Sequence, residues 1–293
     1  MRNLSASIPG IVNGLNIRTY FLRRRLLKTI DIKYANVGGI DLCLDLYMPS
    51  DAEKKPPLLV WIHGGAWMRG SKDSINLGFV EMGFAMASVE FRLSGIAQFP
   101  AQIHDIKAAI RYLRFSASDY GYDATRVGIL GVSSGGHLAV LAGVTNGKNY
   151  YEGVVGEHLD QSSTVHSIVS YFGASNLTTI LDQSTPHGLS VRVPALDLFI
   201  GGQPEQLPEV ARAASPIYHV DSQSPPVFLV HGDQDPQMPI NQSHELHSAY
   251  KKYGLEVHFE VIHGGYHGGD NFFDARTNTM LFNFLVKHIP FIR

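Results

Sequence analysis

The sequence contains a single cysteine, Cys43, among its 293 residues. One thiol cannot form an internal disulfide, and it cannot build a zinc or iron–sulfur site that needs several cysteines. Charge is also scarce, because charged residues make up 17% of the chain and the net charge is -2. These values exclude the basic surface of a nucleic-acid-binding protein and the charge excess of a disordered chain. With 44% hydrophobic residues, the chain can bury the core of a globular protein.

Long apolar runs are missing as well. No stretch reaches the about 20 consecutive apolar residues that span a bilayer. Residues 1–16 mix polar residues with proline and glycine, and they lack the apolar core of a secretory signal. We therefore expect no membrane span and a cytoplasmic location.

The next segment is the most basic part of the chain. Residues 17–30 interleave arginines with leucine, tyrosine and phenylalanine, a pattern typical of a basic amphipathic helix. It predicts an N-terminal helical extension, residues 1–30, that packs on the body of the protein with its arginines in solvent. The alternative is a helix that covers the active site or contacts an anionic surface.

Residues 31–293 have the pattern of one α/β domain. Segments 31–37 and 40–47 alternate in polarity around Gly38 and Gly39, which predicts an antiparallel hairpin. Apolar strands and longer helical patterns follow, with predicted strands at 57–62, 84–91, 127–130, 166–172, 227–230 and 256–262 and predicted helices at 101–116, 135–144, 241–253 and 278–288. We expect a mostly parallel sheet covered by helices on both faces. Residues 175–225 are too long for a plain connection, so they predict a small, cap-like helical insertion over the site.

The strongest local motif surrounds Ser133. A short apolar strand is followed at once by Gly131-Val132-Ser133-Ser134-Gly135 and then by a helical pattern. This is the order of a nucleophile elbow, in which a serine sits on a sharp turn between strand and helix. Glycines two residues away on each side leave room for the strained turn, so Ser133 is the predicted nucleophile.

A second glycine-rich segment follows the predicted strand 57–62 and reads His63-Gly64-Gly65-Ala66-Trp67. A loop at this position supplies backbone amides to an oxyanion hole, together with the amide that follows the nucleophile. The predicted donors are Gly65, Ala66 and Ser134. Residues 65–72 are not a phosphate-binding loop, because Gly70-Ser71-Lys72 has the wrong residue order.

The predicted acid and base follow the last two strands. Asp235 is preferred to Asp233 as the acid, because Asp233 directly follows the turn glycine and is better placed to bind the amides of its own loop. His267 is preferred to His263 as the base, because it lies on a glycine-bounded loop. A neutral His267 would accept the Ser133 proton and donate its other N–H to Asp235.

The remaining site residues are less determined. Trp67, Leu196 and Phe199 are candidates for an apolar substrate pocket, and packing in the core is an equal alternative. His244 and His247 lack the glutamate of a zinc-protease motif, so no metal site is predicted. The proposed chemistry needs no cofactor.

Taken together, these motifs resemble the α/β-hydrolase superfamily, and within it the bacterial esterases related to feruloyl and acetyl-xylan esterases, near the hormone-sensitive-lipase group. The likeness runs from about residue 31 to the end and is carried by segments 45–49, 63–67, 91–94, 99–105, 131–137, 214–216, 231–239 and 265–268. Ala66 replaces a third glycine and Val132 replaces an acidic residue of the hormone-sensitive-lipase group, which favours the feruloyl and acetyl esterase branch. The resemblance implies Ser133, Asp235 and His267 as the triad.

The expected function is that of a serine carboxylesterase acting on short-chain or aryl esters, with acetyl or feruloyl esters of carbohydrates as candidate substrates. An aryl-formamidase with the same triad is one alternative, and a non-catalytic ligand-binding protein is another. The expected partner is a small-molecule ester. The sequence also allows a homodimer through the last predicted strand.

Overall fold

The computed structural model describes residues 26–291 except 51 and 53. Its centre is an eight-stranded sheet in the order β1-β2-β4-β3-β5-β6-β7-β8. The strands are β1 Leu26–Val37, β2 Ile40–Pro49, β3 Pro57–Ile62, β4 Ala85–Val89, β5 Asp123–Val132, β6 Ser167–Tyr171, β7 Val227–Gly232 and β8 Val257–Ile262. Strand β2 is antiparallel to both β1 and β4, and every other pairing is parallel.

Helices connect the strands on both faces of the sheet. The α-helices of the described residues are α1 Gly78–Glu81, α2 Ala101–Phe115, α3 Ala117–Tyr120, α4 Ser134–Val144, α5 Asn149–Glu152, α6 Ile180–Gln183, α7 Pro186–Ile200, α8 Pro208–Ala213, α9 Asn241–Lys252 and α10 Ala275–His288. Short 3-10 helices span Pro216–His219 and Asp270–Phe273. In the described part of the chain, no helix is long and apolar enough to cross a membrane.

The predicted fold class is confirmed. Strands β3, β4 and β6 are buried along their whole length, because helices cover the sheet on both sides. One core cluster contains residues of α2, α4 and α9, and the other contains residues of α1 and α10. Strand β8 ends the sheet, and its pairing across a homodimer stays a prediction.

The predicted helix at 17–30 is wrong where the structure describes it. Leu26 to Ile30 belong to β1, in which Leu26 pairs with Pro49 and Thr29 with Leu46. Hydrogen bonding to a neighbouring strand stabilises this extended backbone more than the local helical pattern does. Residues 17–25 of the predicted helix lie outside the described residues.

The segment between β6 and β7 is helical, as its composition and length predicted. It contains α6, α7, α8 and a 3-10 helix. The cap of α7 contacts the loop after β7, since the Thr185 hydroxyl donates to the Pro236 carbonyl oxygen. Helix α7 is therefore attached to the loop that carries the candidate acid.

Candidate active site

Ser133 lies on a sharp turn between the end of β5 and the start of α4. Its backbone has φ 55° and ψ -122°, in the left-handed region of φ that a residue with a side chain rarely adopts. The surrounding structure holds it there, and the Ser133 amide donates to the Tyr171 carbonyl oxygen at 2.9 Å. Strain of this kind is typical of functional sites, and it is what the elbow motif predicts.

The two glycines of the elbow are in close contact with backbone. A Cβ atom added to Gly131 would lie 2.2 Å from the Gly135 carbonyl oxygen, and one added to Gly135 would lie 2.2 Å from the Ile62 carbonyl oxygen. Gly135 lies in the first turn of α4 and Ile62 ends β3, so neither backbone segment can move without disturbing the helix or the sheet. The spacing of glycines around Ser133 is therefore a packing requirement.

We expect Gly131→Ala to lower the free energy of unfolding by about 3 kcal/mol or more, since the new methyl group would overlap backbone atoms. Gly95→Ala is a matched control, because a Cβ atom at Gly95 would meet no atom within 4 Å. Urea unfolding of the two variants measures the difference. Equal stability of both variants would contradict the close contact at the elbow.

Three predicted residues meet at the end of the sheet. The Ser133 hydroxyl lies 2.9 Å from Nε2 of His267, and Nδ1 of the same ring lies 2.6 Å from Oδ2 of Asp235. A carboxylate accepts only, so Nδ1 carries the proton and Nε2 is free to accept one from the serine. Ser133 is 6% exposed, and the Asp235 side chain has no exposed surface. The arrangement is that of a nucleophile, a base and an orienting acid.

Asp235 is held as an anion by several donors. The backbone amides of Gln237 and Met238 both donate to Oδ1 at 2.8 Å. Burial alone would raise the pKa of the carboxyl group, but hydrogen bonds from His231 and His267 lower it well below its usual value. The acid therefore stays ionised at the pH at which a neutral histidine acts as a base.

The sequence motifs did not point to His231, the last buried side chain before residues 233–239, which we call the acid loop. Its Nε2 lies 3.0 Å from the Met238 carbonyl oxygen and 3.4 Å from Oδ2 of Asp235. Both neighbours are acceptors, so Nε2 carries a proton, and Nδ1 is hydrogen-bonded to the Ser243 hydroxyl at 2.7 Å. The available signal was a histidine near the end of an apolar strand, four residues before the predicted acid.

The two alternative candidates pair with each other on the surface. Oδ2 of Asp233 lies 2.9 Å from Nδ1 of His263, and its Oδ1 accepts from the Gly264 amide at 2.7 Å. The hydrogen bond from His263 lowers the pKa of Asp233. The His263 side chain is 86% exposed. The structure thus brings Asp235 and His267 to Ser133 and leaves Asp233 and His263 outside.

We expect Asp235→Asn to lower kcat for a simple ester by about ten-thousandfold, because an amide at this position favours the wrong tautomer of His267. Asp233→Asn is the matched control and should keep most of the activity, since its partner lies on the surface. Steady-state kinetics of both variants decide between the two acids. A larger loss in the Asp233 variant would reverse the assignment.

The loop after β3 approaches the elbow closely. A Cβ atom on Gly64 would lie 2.9 Å from the Val132 carbonyl oxygen and 3.3 Å from Cβ of Ser133. Gly65 and Ala66 both have positive φ, 125° and 55°, which turns the loop sharply. Among the described residues, no acceptor binds the amides of Gly65, Ala66 or Ser134. These three amides are therefore free to bind a substrate oxygen beside Ser133.

The three candidate pocket residues are packed in the core. Trp67, Leu196 and Phe199 have no exposed surface. The rings of Trp67 and Phe199 stack with centroids 4.6 Å apart, and Trp67 Nε1 donates to Nδ1 of His137 at 3.0 Å. The structure therefore favours the packing alternative for these residues. They pack behind residues 63–67, the predicted oxyanion loop, and do not line an open pocket.

The arginine and aspartate of the motif at 92–105 support these packed residues. Nε and Nη2 of Arg92 bind the buried carboxylate of Asp105, with a shortest distance of 2.7 Å. The loop that Arg92 begins then contacts the site, since the Ser94 amide donates to the Trp67 carbonyl oxygen at 2.9 Å. In the described residues, no group of three or more His, Cys, Asp or Glu side chains is arranged to hold a metal ion.

A serine on a nucleophile elbow, hydrogen-bonded to a histidine and an aspartate beyond the strand ends of a mostly parallel sheet, defines an α/β-hydrolase. The family model BD-FAE matches residues 44–250, which include the elbow, the oxyanion loop and the acid loop. The chain belongs to the BD-FAE family.

Named relatives agree with this assignment. Esterase LipC of Mycobacterium tuberculosis is 29% identical over 92% of the chain, and Esterase LipQ of the same organism is 31% identical over 85%. The chain spans 65% and 59% of the length of these two relatives. A solved structure described as a truncated form of carbohydrate esterase from gut microbiota superposes with a TM-score of 0.82 at 32% identity, covering 89% of this chain and 96% of that one.

Proposed function

We propose that the protein is a serine carboxylesterase that hydrolyses short-chain or aryl esters through an acyl-enzyme. The observation that carries the proposal is the continuous hydrogen-bonded line from the Ser133 hydroxyl through His267 to Asp235. The family and the named esterases among the relatives support ester hydrolysis over the cleavage of formamides.

The first half of the reaction forms the acyl-enzyme. Ser133 Oγ attacks the ester carbonyl carbon while its proton passes to Nε2 of His267. The carbonyl oxygen becomes an oxyanion, and the amides of Gly65, Ala66 and Ser134 donate to it. The C–O bond to the alcohol then breaks, and His267 returns the proton to the departing oxygen.

The second half releases the acid. Water replaces the alcohol, and His267 takes a proton from it as it attacks the acyl carbon. The same amides stabilise the second oxyanion, and Ser133 Oγ leaves with the proton from His267. Asp235 keeps its charge throughout, since its donors hold it ionised, and it stabilises the imidazolium that forms in each half.

The proposed acyl groups are short or flat. The space behind the oxyanion loop is filled by Trp67, Leu196 and Phe199, which have no exposed surface. A long acyl chain therefore finds no apolar pocket there. The similar solved structure is described as a carbohydrate esterase, which supports acetyl or feruloyl groups on sugars as the esters for this chain.

A series of substrates tests this proposal. We expect kcat/KM to fall from p-nitrophenyl acetate to butyrate and to fall at least tenfold further to octanoate, because each buried methylene needs space that the packed residues behind the loop do not leave. Rates with acetylated xylo-oligosaccharides and with ethyl ferulate then show whether acetyl or feruloyl esters are preferred. If octanoate were the best substrate, the proposal that Trp67, Leu196 and Phe199 leave no room for a long acyl chain would be wrong. If only formamides were hydrolysed, the protein would be an amidase and not an esterase.

A further inference from the structure

Arg192 on α7 is a buried cation whose hydrogen-bonding groups are mostly unused. Its side chain is among the largest with no exposed surface. Nη2 lies 3.4 Å from the Gln237 carbonyl oxygen, a long contact, and Nε and Nη1 have no hydrogen-bond partner in the described chain. Buried polar groups are normally satisfied, so an exception of this size requires a reason.

Other buried cations of the protein have carboxylate partners. Lys107 and Arg111 both pair with Glu152, at 2.9 Å and 3.2 Å, and Lys72 pairs with Asp45 at 3.0 Å. Among the described residues, no acidic side chain lies within 4 Å of Arg192 and no ion pair neutralises its charge. An unpaired charge is costly in a buried position.

The position of Arg192 connects two loops of the candidate site. Its guanidinium carbon lies 5.9 Å from the centre of the Trp67 ring, and Trp67 directly follows Ala66 of the oxyanion loop. On the other side it contacts Gln237, two residues after Asp235. The charge thus lies between the oxyanion loop and the acid loop, behind the triad.

Arg192 interacts with Asp235 without touching it. Burial lowers the pKa of Arg192 to about 10, and the negative charge of Asp235 counteracts this effect. Coulomb attraction acts on both charges, so Arg192 also favours the buried Asp235 anion, beside the larger effects of His231, His267 and the Met238 amide. Two opposite charges in a low-dielectric interior attract each other over distances at which surface charges would be screened.

We infer that Arg192 is a positioning residue whose buried charge balances the Asp235 carboxylate and so allows His267 to accept the serine proton at a lower pH. An anion beside an imidazole favours the protonated ring, which cannot act as a base. A fixed cation on the far side of that anion opposes this effect. The inference rests on the ester hydrolysis proposed above.

The other titratable groups around Asp235 and His267 do not supply a fixed positive charge. His231 uses Nε2 toward Met238 and Nδ1 toward Ser243, and an imidazole is not a permanent cation. Burial lowers the pKa of His137, beside Trp67, to about 4, so that ring is neutral. Asp233 and His263 pair with each other on the surface. Phe172 packs on the open face of His267 with centroids 4.6 Å apart. Among the described residues, Arg192 is thus the permanently charged, buried cation next to Asp235 and His267.

The test compares Arg192→Gln and Arg192→Met, which remove the charge, with Arg192→Lys, which keeps it. We expect the acid limb of the kcat/KM profile for p-nitrophenyl acetate to move to higher pH by about 0.5 to 1 unit in the first two variants. The lysine variant should keep the wild-type limb. At low pH, the variants without the charge should therefore lose activity, and this loss should appear in kcat more than in KM, since Arg192 acts through Asp235.

Two results would overturn the inference. One is an unchanged acid limb in folded glutamine and methionine variants; the other is an equal shift in the lysine variant, which would indicate a role in packing alone. The proton on Nδ1 of His267 gives a second readout by NMR, because its resonance follows the state of the ring without ester turnover. If the wild type hydrolyses no ester, the proposed function fails, and the pH dependence of this resonance in the same variants still decides the role of Arg192.

Discussion

Ser133→Ala should lower kcat for p-nitrophenyl acetate by about a millionfold, the size of effect expected when a triad nucleophile is removed. In the proposed mechanism the Ser133 hydroxyl forms the bond to the acyl carbon, and no second hydroxyl is hydrogen-bonded to His267 in the described residues. The free amides of the oxyanion loop remain in the variant. We therefore expect residual catalysis above the rate in water and nearly unchanged binding of a product acid.

The measurement is steady-state hydrolysis with enough enzyme to detect a residual rate, beside circular dichroism and thermal unfolding of the variant. Ser118→Ala is the control for the removal of a hydroxyl, because Ser118 is exposed and distant in sequence from the elbow. Turnover within tenfold of the wild type in folded Ser133→Ala would show that another residue is the nucleophile.

His267→Ala should cause a loss of similar size, about a millionfold in kcat, because without the ring nothing takes the serine proton. Its Nε2 is the acceptor 2.9 Å from Ser133 Oγ. His263→Ala is a close control, since that histidine lies on the same loop but pairs with Asp233 on the surface. The control should retain activity within a few-fold of the wild type.

The double variant Ser133→Ala with His267→Ala gives the sharper result. When two residues act together in one step, removing the second causes no further loss of activity. The double variant should therefore be no slower than either single variant. Additive losses would show that the two side chains act independently. That outcome would contradict the claim that the hydrogen-bonded residues Ser133 and His267 act together in catalysis, even if each single variant lost most of its activity.

The fold and the three central residues could be predicted from the sequence because their signals are local. Strands buried on both faces consist of continuous apolar residues, and the elbow needs small residues at fixed spacing from Ser133. Gly131 and Gly135 stand where added side chains would overlap backbone. The argument against Asp233 was wrong in its detail, because Asp233 binds the Gly264 amide and the His263 ring in the loop after β8 and not the amides of its own loop.

Other features depend on contacts between distant segments. Leu26 to Ile30 have a helical pattern, but pairing with β2 makes them a strand. The burial of Trp67 depends on Phe199 and His137, which are far from it in sequence. The position of Arg192 behind the triad depends on how α7 packs against the acid loop. Periodicity and motif spacing carry no information on such contacts.

The central claim is that His267 and Asp235 activate Ser133 as a nucleophile. The most direct measurement is reaction of the protein with a fluorophosphonate, followed by intact-protein and peptide mass spectrometry, because this reagent labels a serine only when its hydroxyl is activated. We predict one adduct per chain on the peptide that contains Ser133, loss of esterase activity in proportion to labelling, and no adduct in His267→Ala over the same time. An adduct on another residue, or a folded wild type that stays unlabelled, would contradict the account.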